Sequence, residues 1–298
     1  FMNSTGARAL IDVLLEQGVD TVFGYPGSAV LDIYDELYKC DKIRHILTCH
    51  EQAAAHAADG SARATGKTGV VIATSGPGAT NLVTGIAAAY MDSSPVVAIT
   101  GNVKTSLLGS DSFQEVDIAG VTMPVTKYSF IASGERGVAQ DVREAFSIAQ
   151  SGRKGPVLVD IPADIAAQSE EYERAPKSEP ARAKEPEEAQ LARAAQMIAK
   201  AKRPLIYVGG GAISSGASEA LGAFAKKLQI PVACSMMGLG AYPCSAKLFL
   251  GLVGMHGNPA ANTAALNCDL LIAAGARFSN RVAASKASFA PKAKIIHI

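Results

Sequence analysis

The stretch that decides the fold spans residues 48–81 and reads TCHEQAAAHAADGSARATGKTGVVIATSGPGATN. Glu51 stands where a strand-like apolar run over residues 43–47 gives way to an alanine-rich, helix-forming segment over residues 52–64. Such strand-to-helix junctions line the ligand crevice of parallel sheets. A second apolar strand, residues 69–74, ends in SGPG, where glycine lets the backbone approach a ligand closely. The sequence therefore predicts a parallel α/β fold in which two loops face one crevice.

Strand and helix signals alternate along the rest of the chain. The run over residues 95–100 is continuously apolar, as expected of a strand buried on both faces of a parallel sheet. We predict two doubly wound parallel-sheet domains, at residues 1–167 and 189–298, the second Rossmann-like and truncated. Residues 168–188 are mostly charged and contain prolines, which predicts a linker extended over the surface.

Composition narrows the class of partner. The 298 residues include 28 basic and 27 acidic side chains, so nothing draws the surface towards nucleic acid or anionic lipid. Hydrophobic residues make up 48%, enough for two cores, yet no apolar run approaches the roughly 18 to 20 residues that span a bilayer. Five cysteines without metal spacing favour a reducing compartment. We expect a cytoplasmic protein that acts on small molecules.

Glu51 has two interpretations. A carboxylate in a first helical turn offsets the helix dipole, an effect of about 0.3 to 1 kcal/mol, and spacing alone favours this structural role. However, His50-Glu51-Gln52, the segment over residues 60–66 and SGPGATN together resemble the pyrimidine-binding domain of thiamine-diphosphate enzymes, acetolactate synthases above all. The resemblance implies that Glu51 hydrogen-bonds N1′ of the aminopyrimidine and that Pro77 and Asn81 contribute to cofactor binding.

The resemblance also implies residues on the substrate side of the cofactor. In the GYPG turn it points to Gly24, and in GSDSFQE, residues 109–115, to Phe113 and Gln114. Lys127 matches a family lysine on the substrate channel, and Arg153 matches an arginine that reaches a flavin. Without the resemblance, the turn at Gly24 is equally well a simple connector, Phe113 a core residue, and the two cations solvated.

The second domain carries a glycine loop and three further turns: GGG, SMMGLGAYP, GMHG and GARFSNRV. Alone, GGG is equally consistent with a plain αβ turn, because its spacing departs from GxGxxG. His256 alone suggests a buried structural histidine, and the two arginines could share a helical face or pair with carboxylates. The resemblance is to the FAD-clamping middle domain of acetolactate synthases, and it implicates Gly209, Gly210, Gly211, Ser235, Met236, Met255, His256, Gly275, Arg277, Arg281 and Val282.

The implied activity is the condensation of pyruvate with a second 2-oxo acid. Asn102, Ser28 and Ser279-Asn280 depart from the family pattern, which leaves substrate positioning open. No GDG segment is suitably placed, so we expect Mg²⁺ and the cofactor diphosphate to be held by a C-terminal domain absent here, and the fragment alone to be inactive. The resemblance also implies a homodimer or tetramer, with a small regulatory subunit possible. The alternatives are another thiamine-diphosphate carboligase or decarboxylase, and a non-catalytic flavin- or nucleotide-binding module.

Overall fold

The computed structural model describes residues 2–177, 185–283 and 289–298. It divides into two compact units, Phe1–Ala183 and Lys184–Ile298. Both are α/β, with six-stranded and five-stranded sheets in which every pairing is parallel. The predicted fold class is thus confirmed.

The first unit alternates strands with helices. Its strands are β1 Met2–Thr5, β2 Thr21–Tyr25, β3 Arg44–Leu47, β4 Gly69–Ala73, β5 Val96–Asn102, β6 Tyr128–Ile131, β7 Val157–Pro162 and β8 Ser169–Tyr172. Its helices are α1 Gly6–Glu16, α2 Leu31–Tyr38, α3 Glu51–Thr65, α4 Pro77–Asn81, α5 Val83–Asp92, α6 Ile118–Thr122, α7 Val138–Gln150 and α8 Ala163–Ala167.

The six-stranded sheet has the order β3-β2-β4-β5-β7-β6 and lies between two helical layers. Val70 and Ile72 of β4 pack in the cluster that contains α1 and α7, whereas Val71 and Ala73 pack in the cluster that contains α3 and α5. Successive strand side chains point to opposite faces, and here both faces are covered. The strand order reverses between β2 and β4, which places the ligand crevice at their carboxyl ends.

The predicted linker over residues 168–188 differs in part from the structure. Residues 169–172 form β8, which pairs antiparallel with β1 and belongs to the first unit. Tyr172 of β8 is buried and donates a hydrogen bond to Asp12 of α1. Its ring and its hydroxyl therefore both hold this charged strand against the first unit. Residues 178–184 lie outside the described residues.

The second unit contains α9 Glu188–Lys200, β9 Pro204–Val208, α10 Gly210–Ser214, α11 Ser218–Leu228, β10 Val232–Cys234, β11 Phe249–Leu252, α12 Pro259–Asn267, β12 Leu270–Ala274 and β13 Lys294–His297. The strand order is β11-β10-β9-β12-β13. Its reversal falls between β9 and β12, where the loops after the two strands meet. Helices again cover both faces, since Ile206 and Val208 pack with α11 while Leu205 and Tyr207 pack with α12.

Candidate active site

Glu51 is the first residue of α3, directly after β3 and its connecting turn. His50 caps the helix, because its Nδ1 accepts a hydrogen bond of 3.1 Å from the backbone N–H of Gln52. The Thr48 hydroxyl donates to the carbonyl of His50 at 3.0 Å. These contacts fix the turn, and the Glu51 side chain is only 9% exposed.

One amide holds the Glu51 carboxylate. Asn81 Nδ2, at the end of α4, donates to Glu51 Oε2 at 2.9 Å. Among the described ion pairs none involves Glu51, so its charge is not neutralised by an arginine or lysine. On the other side, a Cβ added to Gly78 would lie 3.3 Å from Oε1. A largely buried carboxylate with an amide partner and glycine beside it is available to bind a heterocyclic nitrogen.

Gly24 is the predicted site residue of β2, and the structure gives it a packing role. A Cβ at Gly24 would lie 2.2 Å from the carbonyl oxygen of Ile72 and 2.5 Å from the hydroxyl of Tyr34. That hydroxyl donates to Ile72 at 3.3 Å and lies 3.2 Å from Nε2 of His45. Burial, and secondarily the charge of Glu51, raise the pKa of Tyr34, so it remains a phenol near the carboxylate.

The loop after β4 meets the loop after β5. Gly76 has φ +58° and ψ −121°, a conformation that other residues rarely adopt, and Pro77 begins α4 immediately after it. A Cβ at Gly76 would lie 2.7 Å from the carbonyl oxygen of Gln114 and 2.9 Å from its Cα. The predicted residues Glu51, Pro77, Asn81 and Gln114 therefore lie together at the carboxyl edge of the sheet.

Phe113 is not part of the core, although a core position is the role expected of it without the family resemblance. Its side chain is 87% exposed in the loop that precedes α6. A single exposed aromatic side chain is common on protein surfaces, so this exposure excludes the core role and does not by itself indicate a ligand. It stays a predicted substrate-side residue.

Lys127 and Arg153 lie apart from Glu51 within this unit. Lys127 immediately precedes β6, and its ammonium donates to the carbonyls of Ile148 and Ser151 at the end of α7. Arg153 donates through Nε to the hydroxyl of Ser93 at 2.7 Å, just before β5. Because the strands are parallel, both cations stand at the amino edge, opposite Glu51. Within the unit, Lys127 and Arg153 therefore stabilise loops. Both form hydrogen bonds to protein groups, so neither is merely solvated.

The predicted flavin residues of the second unit follow the carboxyl ends of its strands. Gly209 directly follows β9 and Gly275 directly follows β12, and the two loops that they begin pack backbone against backbone. A Cβ at Gly209 would lie 2.3 Å from the carbonyl oxygen of Gly275, and one at Gly211 2.7 Å from the Cα of Gly275. Gly275 itself has φ +56°. These glycines are required for close packing at the switch point of the sheet, whatever they bind.

The remaining predicted residues surround that point. Ser235 caps a 3₁₀ turn over Met236–Gly238, accepting from the N–H of Gly238 at 3.2 Å. The N–H of Met255 donates to the carbonyl of Arg281 at 3.0 Å, which joins the loops after β11 and β12. Exposed side chains at this edge are Met236, Met255, His256, Arg277 and Arg281, while Gly210 and Val282 are partly buried.

Two alternatives for this edge are wrong in the structure. His256 is exposed, so it is not a buried structural histidine. Residues 277–281 form no helix, and among the described residues neither Arg277 nor Arg281 forms an ion pair with a carboxylate. Two cations at the carboxyl edge of a Rossmann-like sheet are suited to a diphosphate.

Two carboxylates that organise the carboxyl edge of the first sheet, Asp160 and Glu115, are not predicted from the sequence. Asn102 and Thr100 of β5 both donate to Asp160 of β7, which is fully buried. Glu115 accepts from backbone N–H groups of the loop that carries Phe113. A polar residue inside a strand that otherwise reads as apolar was the available signal for Asp160.

The described residues contain neither a candidate metal site nor a candidate membrane span. No group of three or more His, Cys, Asp or Glu side chains there is arranged to hold a metal ion. None of the helices in the described part of the chain combines the length and apolar character that a membrane span requires.

Each of the two units matches a known protein family model. Residues 4–121 match the thiamine pyrophosphate enzyme N-terminal TPP binding domain, and residues 191–298 match the central domain of the same enzymes. Together the two matches cover most of the chain.

Individual relatives agree with the family models. The chain is 52% identical to the probable acetolactate synthase large subunit of Methanocaldococcus jannaschii, over 98% of this chain and 50% of that protein. It is 48% identical to acetolactate synthase isozyme 3 large subunit of Escherichia coli, over 99% of this chain and 52% of the relative. The Corynebacterium glutamicum large subunit is 50% identical over 98% of this chain and 47% of its own length. The chain spans about half the length of the curated relatives it matches, and it belongs to the thiamine pyrophosphate enzyme family, of which it carries the N-terminal TPP binding domain and the central domain.

Proposed function

We propose that this chain forms the N-terminal and central part of an acetolactate synthase large subunit, which condenses pyruvate with a second 2-oxo acid after decarboxylation, in branched-chain amino acid biosynthesis. The observation that carries the proposal is the Glu51 carboxylate. It is largely buried at a strand-to-helix junction, is held by Asn81, and forms no ion pair with any described cation.

Thiamine diphosphate would supply the carbanion chemistry that a 2-oxo acid needs in order to lose CO₂. The residues of this chain fit its pyrimidine end. Glu51 would share a proton with a ring nitrogen, Asn81 would keep the carboxylate oriented, and Gly78 leaves space beside Oε1. Phe113 and Gln114 would face the substrate.

The central domain would bind FAD at the carboxyl edge of its sheet. The exposed Arg277 and Arg281 supply cations for a diphosphate, and the loops after β9 and β12 supply backbone close to the ligand. Mg²⁺ would be bound outside the described residues, since no suitable ligand cluster exists among them. We further propose a homodimer or tetramer, a possible small regulatory subunit, and a cytoplasmic location.

The experiment is Glu51→Gln in the full-length protein that carries this chain. Acetolactate formation from pyruvate, Mg²⁺ and thiamine diphosphate should fall by about 10²-fold or more, because the amide cannot exchange a proton with the ring. Glu188→Gln is the matched control: Glu188 is an exposed glutamate in the first turn of α9. It should leave turnover unchanged.

If Glu51→Gln behaves like Glu188→Gln, Glu51 only offsets the helix dipole and the assignment is wrong. If the unmodified full-length protein forms no acetolactate but consumes another 2-oxo acid with thiamine diphosphate, the family assignment stands and the substrate proposal fails.

A further inference from the structure

The loop between β5 and α6, residues 103–117, carries Phe113 and Gln114 to the carboxyl edge of the first sheet. Each end of this loop is held by a separate contact, the first to the sheet and the second to α6. At its start, the Asn102 amide donates to Asp160, and Asn102 Oδ1 accepts from the N–H of Val103 at 2.8 Å. At its end, Asp117 caps α6 by accepting from the N–H of Gly120 at 2.8 Å.

A third contact organises the middle of the loop. The carboxylate of Glu115 accepts from the backbone N–H groups of Gly109, Ser110 and Ser112, the latter two at 3.3 and 3.1 Å. It also accepts from the Ser112 hydroxyl at 3.3 Å. These donors favour the charged carboxyl, and the contact to Gly109, the largest effect, lowers the pKa of Glu115.

Two residues of this part of the loop have backbone conformations that non-glycine residues seldom adopt. Asp111 has φ +53° and Gln114 has φ +59°, both left-handed conformations of non-glycine residues. Such conformations persist where the surroundings impose them. The Glu115 carboxylate is the one described group that bonds to several backbone donors of residues 109–112.

The consequence reaches the site through Gln114. Its backbone lies against Gly76, so closely that no Cβ could be placed between them. Gly76 precedes α4, and α4 ends in Asn81, which holds Glu51. The position of the 109–112 turn therefore sets where Phe113 and Gln114 stand relative to the carboxylate.

From this arrangement we propose that Glu115 is a positioning residue, whose carboxylate folds residues 109–112 around itself and thereby places Phe113 and Gln114 at the substrate side of the site. Glu115 does not touch the substrate in this account. The functional half of the inference rests on the proposed function, whereas the folding of the loop does not.

The test uses the full-length protein with Glu115→Ala and Glu115→Gln, and with Glu135→Ala as the control. Glu135 is an exposed glutamate with no side-chain contact among those described, and it lies outside this loop. Hydrogen exchange reports the amides of Gly109, Ser110 and Ser112. Steady-state kinetics separately report KM for pyruvate, and titration reports the affinity for thiamine diphosphate.

Glu115→Ala should speed exchange at the three amides by about tenfold or more, while β5 and α6 exchange as before, because their own contacts remain. It should raise KM for pyruvate at least about fivefold and change cofactor affinity less than about twofold. Glu115→Gln should give exchange rates and a KM between those of Glu115→Ala and the unmodified protein, since its amide oxygen still accepts from one or two donors. Glu135→Ala should match the unmodified protein.

Unchanged exchange at the three amides in Glu115→Ala would show that the Glu115 carboxylate does not order residues 109–112, and would overturn the proposal. Faster exchange with unchanged KM overturns the positioning role, and a loss of cofactor affinity equal to the rise in KM assigns Glu115 to general stability instead. If the unmodified protein shows no thiamine-dependent turnover, the proposed function fails, and the exchange data still decide whether Glu115 orders the loop.

Discussion

The side-chain amide of Asn81 donates a hydrogen bond of 2.9 Å to Oε2 of Glu51, which joins the end of α4 to the start of α3. The two residues are 30 positions apart, and each follows a different strand of the sheet. The bond therefore depends on the register of β3, β2 and β4, and it leaves the second carboxylate oxygen for a ligand.

Asn81→Asp should be more harmful than Asn81→Ala. Aspartate would put a second carboxylate against Glu51, and two carboxylates at that distance share a proton instead of both ionising. Alanine only removes one donor, which water can replace at a partly exposed position. We expect Asn81→Asp to weaken thiamine diphosphate binding by the full-length protein at pH 7 at least about tenfold, and to recover part of it at lower pH.

The measurement is a titration with thiamine diphosphate between pH 5.5 and 8 for both variants, in steps of about one unit. Equal losses for Asn81→Asp and Asn81→Ala, with no difference in pH dependence, would show that the amide acts by size alone.

Gly76→Ala should destabilise the carboxyl edge of the first sheet. The new Cβ would meet the carbonyl and Cα of Gln114, and alanine rarely adopts φ +58°. Strain and overpacking together should cost about 2 kcal/mol or more. The control is Gly60→Ala in α3, where nothing lies within 4 Å of the added Cβ. That change should stabilise the helix by about 0.5 to 1 kcal/mol.

Native-state hydrogen exchange of β4 amides separates the two variants, because it reports the first unit alone. A Gly76→Ala protein as protected as Gly60→Ala would mean that the loops after β4 and β5 do not touch in solution.

Much of this fold could be predicted from the sequence because buried parallel strands are continuous apolar runs. β4, β5 and β7 are buried at every position, and β4 and β5 were predicted within two residues. The sequence does not predict β6, since it is an edge strand whose end residues, Tyr128 and Ile131, are exposed. β8 lies in the segment predicted to be a linker, because Ser169, Glu170 and Glu171 show no apolar pattern.

The candidate site divides in the same way. Glu51 stands at a strand-to-helix junction, a local feature that sequence shows, and the family motif around it is contiguous. Two further contacts depend on left-handed backbone conformations in a long loop, which residue types alone do not specify. They are the contact of Gln114 with Gly76 and the hydrogen bonds from residues 109–112 to the Glu115 carboxylate. Lys127 and Arg153 match the family in sequence, yet the topology places both at the opposite edge from Glu51 in this unit.

Gly211→Ala should destabilise the second unit without affecting the first. Its Cβ would lie 2.7 Å from the Cα of Gly275 and 2.8 Å from the carbonyl oxygen of the same residue, both of them backbone atoms that cannot rotate away. Overpacking of this kind costs about 1 to 3 kcal/mol. Gly222→Ala in α11 is the matched control, because nothing lies within 4 Å of its Cβ. It should be stabilising by about 0.5 to 1 kcal/mol.

Exchange at β9 and β12 amides measures the effect, with β4 amides as the internal reference for the first unit. Wild-type protection of β9 in Gly211→Ala would refute the backbone contact between the two glycine loops.

Lys127→Met should loosen the end of α7. The ammonium donates to the carbonyl of Ser151 at 2.6 Å and to its hydroxyl at 3.1 Å, and also to the carbonyl of Ile148. Burial lowers the pKa of Lys127, so these acceptors hold a partly desolvated cation. Loss of the ammonium removes the donor to the Ser151 carbonyl, at a cost of about 1 to 3 kcal/mol, whereas the Ile148 carbonyl still accepts from the hydroxyl and the N–H of Ser151. Exposed Lys42→Met is the control, and protection of α7 amides should fall only in Lys127→Met.

Asp160→Asn should remove a pH dependence from the stability of the first unit. Asp160 is fully buried, accepts from Thr100 at 2.6 Å and from Asn102, and has no cation partner among the described ion pairs. Burial raises its pKa from 3.8 to about 7. The folded protein therefore keeps a proton that the unfolded chain releases above pH 3.8. The stability from this carboxyl is complete below that pH and is lost as pH rises through 7.

Between pH 3.8 and about 7 the loss amounts to about 4 kcal/mol, at about 1.36 kcal/mol for each pH unit. Asparagine stays neutral and can still accept from Asn102 while donating to Thr100, so its protein should not show this loss. We expect protection of β5 and β7 amides to fall from pH 5 to pH 8 in the unmodified protein relative to Asp160→Asn, with exposed Asp32→Asn following the unmodified protein. Parallel profiles for all three would mean that Asp160 stays ionised when buried, and that Thr100 and Asn102 suffice to hold the charge.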